Sequence, residues 1–408
     1  MDATHHHSLP PNLLVPSATT CSLLKLRFFI LLCSSLGLLQ NKPESPSSIH
    51  CSICLIGWQK QREMVMMRRV AMVLSMVIFG WVYQITHPPP PKICGSPGGP
   101  PVTGPRIKLR DGRHLAYTEY GLPKDVAKFK LIFIHGFTSC RYDRVVTFPP
   151  EVYQELGVHI VSFDRPGYGE SDPDPNRTPE SLAMDVEELA DQLGLGSKFY
   201  VLGFSMGGQA VWGCIKYIPH RLAGAGMIAP VVNYWWPGFP SNLSTEAYYF
   251  QLPQDQWTLR VAHYAPWLTY WWNTQNWFPA SAVAAGRAEV FSSQDLEIIA
   301  NEEISDELRA YPMQQGNFES LHRDMMVGFG RWEFDPMDME INPIPDGGGS
   351  VHLWHGEEDQ MVPVTLQRYI AKKLLWVKYH EFPGKGHMFP LIPEISQSMI
   401  KALLYDEK

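Results

Sequence analysis

Apolar positions follow two patterns along this chain, and the second pattern predicts most of its fold. From residue 106 onward, runs such as residues 131–134 and 159–163 are apolar at consecutive positions, which is typical of strands buried on both faces of a parallel sheet. Helical patterns stand between these runs. One of them, residues 179–193, begins with Thr178 as an N-cap and ends at Gly194. The alternation predicts an α/β fold in which a mostly parallel sheet is covered by helices on both faces.

The predicted elements follow one another in a regular order. A hairpin of two short strands, residues 107–109 and 114–117, comes first and is joined by Asp111 and Gly112. Buried strands are then predicted over residues 131–134, 159–163, 199–202, 225–228, 351–354 and 377–382, and helices over residues 179–193, 206–217, 363–374 and 395–404.

Residues 231–345 interrupt this alternation. They contain 8 of the 13 Trp residues of the chain, together with helical patterns such as residues 293–310. An insertion with its own apolar residues between two strands of a sheet predicts a helical cap over the edge of that sheet. The α/β core is therefore expected to consist of residues 106–230 and 346–408, with the cap between them.

Two apolar runs precede the α/β part. Residues 28–39 have the length of a signal-peptide core. Residues 70–85 contain no charged residue and carry Trp81 and Tyr83 near their end, which predicts a membrane anchor, either a short transmembrane helix or an interfacial one, rather than a buried helix. Residues 86–105 are rich in Pro and Gly and are expected to form an extended stalk. Residues 1–69, with three histidines at positions 5–7, form an N-terminal extension without an assigned function.

Charge separates the two parts of the chain. Apolar residues make up 45% of the sequence and charged residues 18%, which excludes a disordered polyampholyte. Residues 1–105 carry 8 Lys and Arg against 3 Asp and Glu, whereas the rest carries 26 against 38. The acidic α/β part is therefore not expected to bind nucleic acid, because phosphates require a basic surface. The basic N-terminal part flanks apolar runs and is expected to meet a membrane.

Cysteines do not indicate a disulfide framework or a metal site. Five of the seven lie in the first 105 residues, away from the predicted fold. Cys51 and Cys54 form a C-x-x-C pair, but no second Cys or His pair follows at zinc-ligand spacing. We expect neither a metal nor a cofactor.

A serine at a strand-to-helix junction is the first candidate for chemistry. Ser205 lies in the sequence Gly-Phe-Ser-Met-Gly, between a predicted strand and a predicted helix. Small residues on both sides allow the tight turn of a nucleophile elbow, in which the serine Oγ projects above the sheet. A serine is a poor nucleophile by itself, so a base and an orienting carboxylate are required.

An acid and a histidine follow in later loops. Asp359 comes after the predicted strand 351–354, and His387 comes after the predicted strand 377–382. Both positions are at the carboxyl ends of strands, where open α/β sheets build their sites. Spacing leaves alternatives open: Glu357 and Glu358 for the acid, and His355 and His380 for the base.

An oxyanion hole requires two backbone N–H groups that point at the developing negative charge. Met206, the residue after the candidate nucleophile, is expected to supply one of them. Phe137, in the loop after strand 131–134, is expected to supply the other, while His135 in the same loop is expected to be a structural hydrogen-bonding residue.

These motifs resemble those of the α/β-hydrolase fold superfamily. The resemblance covers residues 106–408 and rests on residues 135–137, 163–171, 203–207, 359 and 386–387, all in the order of that family. The proline run with residues 92–101 and 107–117 looks like a plant group of membrane-anchored α/β-hydrolases. The resemblance implies the fold and a Ser-His-Asp triad. A serine at the elbow argues against epoxide hydrolases and haloalkane dehalogenases, which use an aspartate there.

The sequence therefore predicts a serine hydrolase that cleaves an ester or thioester of an apolar small molecule or lipid through an acyl-enzyme. The alternative is a ligand receptor or scaffold that retains the triad. Lys60, Arg62, Arg68 and Arg69 precede the anchor, so the positive-inside rule predicts a single-pass protein of the endomembrane system with a lumenal hydrolase domain. The alternative location is the cytosolic face of a membrane, and the sequence leaves the oligomeric state open.

Overall fold

The computed structural model describes residues 51–302, 305–345 and 349–405, with side chains from residue 58 onward. The apolar run at residues 28–39 and the histidines at positions 5–7 lie outside the described residues. The chain divides after Val77 into two compact units, and the second unit, from Ile78 onward, contains the sheet.

Helix α1 (Cys51–Thr86) is longer than the predicted anchor. Its part Trp58–Thr86 is long and apolar enough to cross a membrane, and the most apolar part of this stretch is not buried by other residues. On its N-terminal side the helix continues beyond the apolar run through residues such as Lys60 and Arg62. Both are good helix formers, but they are charged and so do not belong to an apolar run. The helix ends before Pro88, as expected from the steric restriction that proline places on its predecessor.

Within the described residues, eight strands form one sheet in the order β1-β2-β4-β3-β5-β6-β7-β8. The strands are β1 (Arg106–Lys108), β2 (His114–Gly121), β3 (Phe129–Ile134), β4 (Val158–Phe163), β5 (Phe199–Phe204), β6 (Leu222–Ile228), β7 (Val351–Gly356) and β8 (Val377–Phe382). β2 pairs antiparallel with β1 and β4, and all other pairs are parallel. The prediction of a mostly parallel sheet that starts with a hairpin is confirmed.

Helices cover both faces of this sheet. They are α2 (Pro150–Leu156), α3 (Pro179–Gln192), α4 (Met206–Tyr217), α11 (Val364–Lys373) and α12 (Pro393–Tyr405). Alternate residues of β3 face opposite layers: Ile132 and Ile134 belong to the cluster that contains α3, α4 and α11 residues, whereas Leu131 and Phe133 belong to the cluster that contains α2 and α12 residues. The consecutive apolar positions of the strand are explained by this burial on both sides.

Local signals in the sequence place several helix ends correctly. The Thr178 hydroxyl accepts a hydrogen bond from the N–H of Ser181, so the predicted N-cap of α3 is confirmed. Helix α4 has the predicted bounds. Helix α2 was not predicted, because its seven residues are too few to establish a 3.6-residue period.

The inserted segment between β6 and β7 is helical. Its helices are α5 (Ser241–Phe250), α6 (Pro253–Tyr264), α7 (Thr269–Thr274), α8 (Ser293–Ala300), α9 (Asp306–Ala310), a π-helical turn (Phe318–His322) and α10 (Arg323–Gly328). The pattern at 293–310 forms two helices rather than one, since Ser292 and Ser305 each cap the start of a new helix. The limits of the stalk, cap and core segments stay predictions.

Candidate active site

Ser205 occupies a sharp turn between β5 and α4. Its backbone has φ 53° and ψ −117°, a conformation that costs a non-glycine residue about 1–3 kcal/mol. The turn is held from both sides: the Ser205 N–H donates to the carbonyl of Ile228 at 2.8 Å, and the Ser205 carbonyl accepts from the N–H groups of Gly208 at 2.9 Å and Val231 at 3.1 Å. The strain is therefore balanced by hydrogen bonds to the end of β6 and the residues that follow it.

Two glycines permit this turn because other backbone atoms approach them closely. A Cβ on Gly203 would clash with the carbonyl oxygen of Gly207, and a Cβ on Gly207 would clash with the carbonyl oxygen of Ile134. The small residues of the motif thus serve close packing of β5, α4 and β3 around Ser205.

Ser205, His387 and Asp359 form one chain of hydrogen bonds. His387 Nε2 lies 3.0 Å from Ser205 Oγ, and His387 Nδ1 lies 2.7 Å from Asp359 Oδ2. A carboxylate can only accept, so Nδ1 carries the proton and Nε2 accepts from the serine hydroxyl. All three side chains are buried. They come from the ends of β5, β8 and β7, which meet at one edge because these strands are parallel.

Three of the four alternatives for the acid and the base lie away from this chain of hydrogen bonds. Glu357 and Glu358 are exposed, and Glu357 faces the N–H of Gly384. The His380 ring stacks on His352 and Trp354 of β7.

His355 is buried beside Asp359, and its Nε2 donates to the carbonyl of Val362 at 2.8 Å. The remaining Asp359 oxygen, Oδ1, accepts from the N–H groups of Met361 at 2.9 Å and Val362 at 2.7 Å. These bonds fix the carboxylate against His387.

Burial and charge act in opposite directions on these groups. Burial alone raises the pKa of Asp359, but His387 and the hydrogen bonds that the carboxylate accepts hold it below its ordinary value. Burial lowers the pKa of His387, but Asp359 outweighs that effect and the pKa of His387 is raised. For His355, burial dominates and lowers the pKa, so this ring stays neutral. The arrangement pairs a carboxylate with an imidazole that gains a proton readily.

Phe137 and Met206 line the same cavity as Ser205. Met206 is the first residue of α4, so its N–H has no partner within the helix. The Phe137 N–H shares a peptide unit with the Gly136 carbonyl, and that carbonyl accepts from His135 Nδ1 at 2.8 Å and from Arg165 Nη2 at 2.8 Å. Two donors on one side of this peptide orient its N–H toward the other side.

His135 has the structural role that its position predicts. Its Nε2 accepts from the Arg165 N–H at 3.0 Å, so Nδ1 carries the proton that is donated to Gly136. Burial, followed by the positive charge of Arg165, lowers the pKa of His135 well below its ordinary value and keeps the ring neutral.

A buried ion network links this loop to the inserted segment. Asp324 of α10 binds Arg165 at 2.6 Å and Arg177 at 2.5 Å, and the Tyr168 hydroxyl donates to it at 2.6 Å. Burial raises the pKa of Asp324, but the two guanidinium groups bring it below its ordinary value. Arg165 therefore contacts Asp324 and the Gly136 carbonyl together, and the sequence analysis did not single out Asp324.

Asp295 is a second carboxylate of the inserted segment that reaches the site. It is fully buried, and it accepts from the N–H groups of His387 at 3.0 Å, Met388 at 2.6 Å and Ser292 at 3.1 Å. Ser292 and Asp295 form a capping box at the start of α8. The sequence shows that capping box, but nothing in it connects residue 295 with a loop 92 positions away.

The cavity beside Ser205 is small and mostly apolar. It holds about 70 Å³, roughly half the volume of a cavity that binds benzene. Met325 and Phe329 of the inserted segment form part of its wall, while Asp255 and Ser281 provide polar lining. Asp255 accepts from the Ser281 hydroxyl at 2.6 Å. Among the described residues, no group of three His, Cys, Asp or Glu side chains could hold a metal ion.

Comparison with known proteins identifies the family. A model of the alpha/beta hydrolase family matches residues 131–394, which include Phe137, Ser205, Asp359 and His387. The chain belongs to the α/β hydrolase family. The predicted resemblance to this family is confirmed.

One curated relative and one solved structure are similar to this α/β hydrolase. Probable lysophospholipase BODYGUARD 2 of Arabidopsis thaliana is 22% identical over 285 residues, which cover 65% of this chain and 56% of that protein. The chain thus spans little more than half the length of this relative. A thermophilic esterase from Thermogutta terrifontis has a TM-score of 0.51 at 19% identity, over 75% of this chain and 99% of that protein. This second likeness shows the α/β hydrolase fold.

Proposed function

We propose that this α/β hydrolase is a serine hydrolase that cleaves a carboxylic ester or thioester of an apolar small molecule or lipid. The observation that carries the proposal is the Ser205–His387–Asp359 hydrogen-bond chain, which ends in an apolar cavity. Membership of the hydrolase family and the similarity to a protein named as a probable lysophospholipase support ester hydrolysis in general.

The proposed reaction proceeds through an acyl-enzyme. Ser205 Oγ attacks the carbonyl carbon while His387 Nε2 takes the hydroxyl proton, and the carbonyl oxygen becomes an oxyanion that accepts from the N–H groups of Phe137 and Met206. Collapse of this intermediate releases the alcohol or thiol, which takes the proton from His387. Water then attacks the acyl group with His387 again as the base, and Ser205 is regenerated with release of the acid.

Asp359 and Asp295 support His387 in different ways. Asp359 binds Nδ1 and stabilises the protonated ring. Asp295 holds the backbone of His387 and Met388, and its negative charge also favours the protonated ring. We propose Asp295 as a positioning residue, since it acts on the base and not on the substrate.

We further propose a single-pass membrane protein of the endomembrane system with the hydrolase domain on the lumenal side. The described residues contain one helix long and apolar enough for a span, and four basic residues near its start favour a cytosolic N-terminus. The cytosolic face of a membrane is the alternative. Asn242, the asparagine of an Asn-Leu-Ser acceptor sequence, is exposed at the start of α5 and can therefore report lumenal exposure.

The first prediction concerns the three hydrogen-bonded residues. Ser205→Ala, Asp359→Asn and His387→Ala should each lower the rate of ester hydrolysis by at least about 10³-fold, and combined variants should lose little more, because the three act as a unit. The measurement is kcat/KM on a soluble ester, with thermal unfolding as a check on folding. Glu358→Gln is the matched control and should retain wild-type activity.

A fluorophosphonate probe should label wild-type protein and not Ser205→Ala. Labelling without repeated turnover on any ester would favour the receptor alternative. Full activity in Asp359→Asn with loss in Glu358→Gln would refute the choice of acid.

The second prediction concerns pH. His387 must be neutral to take the serine proton, and its pKa is raised, so activity should fall as pH drops, with a midpoint above the ordinary pKa of a histidine side chain. The titratable groups that face His387 are Asp359, Asp295 and, behind Asp359, His355. Asp295→Asn removes one negative charge that favours the protonated ring and should move this acid limb to lower pH.

The rate of fluorophosphonate labelling against pH measures this limb without a known substrate. Asp338→Asn, at an exposed carboxylate of the same inserted segment, is the control and should leave the limb in place. An unshifted limb in Asp295→Asn would contradict the assigned role of Asp295.

The third prediction concerns the acyl group. The cavity is small and mostly apolar, so hydrolysis of soluble esters should increase from acetyl to medium-length acyl chains and then decline. Met325→Ala should shift the optimum to longer chains, because it removes part of the wall. A series of p-nitrophenyl esters provides the measurement.

Met337→Ala is the matched control, since Met337 is buried in the core cluster and does not line the cavity. Its chain-length optimum should stay that of the wild type. A wild-type preference for acetyl or for phosphorylated substrates would contradict the proposed acyl pocket.

The fourth prediction concerns topology. In sealed microsomes the hydrolase domain should resist added protease until detergent opens the vesicles, and Asn242→Gln should remove a glycosidase-sensitive mass shift. Asn176→Gln is the control, because Pro179 follows its acceptor sequence and disfavours modification. Complete digestion without detergent would place the domain on the cytosolic face.

A further inference from the structure

Five aromatic side chains of the inserted segment, here called the aromatic patch, touch one another at its surface. They are Trp257 of α6, Trp271 and Trp272 of α7, and Trp277 and Phe278 of the following turn. Trp272 lies 6.2 Å from Trp257 and stacks on Phe278 at 5.8 Å, and Trp271 lies 6.0 Å from Trp277, measured between ring centroids.

The aromatic patch is exposed although its residues are apolar. Trp257, Trp277 and Phe278 are each more than half exposed, as are the nearby Tyr264 and Trp267. Single exposed apolar residues are ordinary, but a contiguous exposed group of this kind marks an interaction surface.

The segment that carries the aromatic patch is almost free of charge. In the 38 residues from 249 to 286, Asp255 and Arg260 are the charged residues, and Asp255 is buried. By contrast, residues 106–408 carry 38 acidic against 26 basic residues. A neutral aromatic surface on an acidic domain suits a neutral partner, and two copies of this domain would repel each other.

The chain passes helix α7, which carries two residues of the aromatic patch, just after the apolar helix ends. Pro89, Pro90 and Pro91 share a cavity of about 340 Å³ with Tyr270 and Thr274 of α7. Thr86 ends helix α1 three residues before Pro89, a distance of at most about 10 Å along an extended chain. The helix that carries Trp271 and Trp272 is thus next to the point where the chain leaves α1.

We propose that the aromatic patch docks on the surface of the lipid bilayer that α1 enters. This inference rests on the proposed membrane anchoring and extends it, because it adds a second contact with the same membrane. Trp and Tyr side chains favour the boundary between water and hydrocarbon, where one end of the ring system is apolar and the other is hydrated.

Docking would also bring the cavity close to the bilayer. Thr258 and Leu259 follow Trp257 on α6, Ser281 and Val283 follow Phe278, and all four line the cavity beside Ser205. The aromatic patch therefore flanks two parts of the cavity wall. An ester carried by a membrane lipid would reach Ser205 from the lipid surface rather than from bulk water.

The test uses the full chain in phosphatidylcholine nanodiscs, with and without brominated acyl chains that quench tryptophan on contact. Subtracting the spectrum of Trp277→Phe from that of the wild type isolates the contribution of Trp277. This contribution should lose more than half its intensity in brominated nanodiscs. Trp81, within α1, is the positive reference, and the half-buried Trp332 of the inserted segment is the negative reference, each isolated through its own Phe variant.

Two results would overturn the proposal. Trp277 quenched no more than Trp332 would show that the aromatic patch is away from lipid. Quenching of Trp277 with one copy of the chain in each nanodisc that is lost with two copies would make a second copy the preferred occupant. These outcomes do not depend on enzymatic activity.

A functional arm compares two double variants. Trp277→Gln with Phe278→Gln should lower hydrolysis of an ester embedded in phosphatidylcholine vesicles by about tenfold and leave hydrolysis of a soluble short-chain ester unchanged. Ile341→Gln with Leu375→Gln, at two other strongly exposed apolar positions, should change neither rate. Equal rates for both double variants on the embedded ester would refute docking. A wild-type protein that hydrolyses neither ester would refute the proposed hydrolase function, and the quenching result would still be valid.

Discussion

The strained turn at Ser205 is the constraint on which the site depends. A serine at φ 53° would relax if the surrounding backbone allowed it, and it is held by hydrogen bonds to Ile228, Gly208 and Val231. Those bonds exist only when β5, β6 and α4 are packed together, so the orientation of the Oγ depends on the parallel sheet. The same parallel order brings the loops after β7 and β8 to the same edge.

The inserted segment contributes two buried carboxylates that bind loops of this site. Asp295 binds the backbone of the His387 loop, and Asp324 binds Arg165, which in turn binds the Gly136 carbonyl. One carboxylate therefore acts on the loop of the proposed base and the other on the loop of the proposed oxyanion hole. A buried carboxylate that loses its partners raises the free energy of the folded protein. Displacement of the inserted segment would therefore also weaken the order of the two loops.

Charge distribution gives the molecule two kinds of surface. The α/β part is acidic, whereas one residue of the neutral aromatic patch, Trp257, lies on helix α6, which also lines the cavity. Arg260 lies over the rings of Tyr248, Tyr249 and Trp257 at 5.1 to 5.8 Å, so this cation is itself covered by aromatic faces. Few charged groups would therefore lose hydration if an apolar group bound at this face of the protein.

The amino-acid sequence by itself determined the α/β sheet, the N-cap at Thr178, the bounds of α4 and the candidates Ser205 and His387, because burial on two faces, helix capping and strand-end motifs leave local signals. It left Asp359, Glu357 and Glu358 equivalent, since all three follow the same strand. Only the tertiary structure distinguishes them. The loop after β7 turns Asp359 inward to His387, whereas the two glutamates face solvent. The roles of Asp295 and Asp324 and the clustering of the tryptophans were likewise decided by packing, because contacts between segments distant in sequence leave no period to detect.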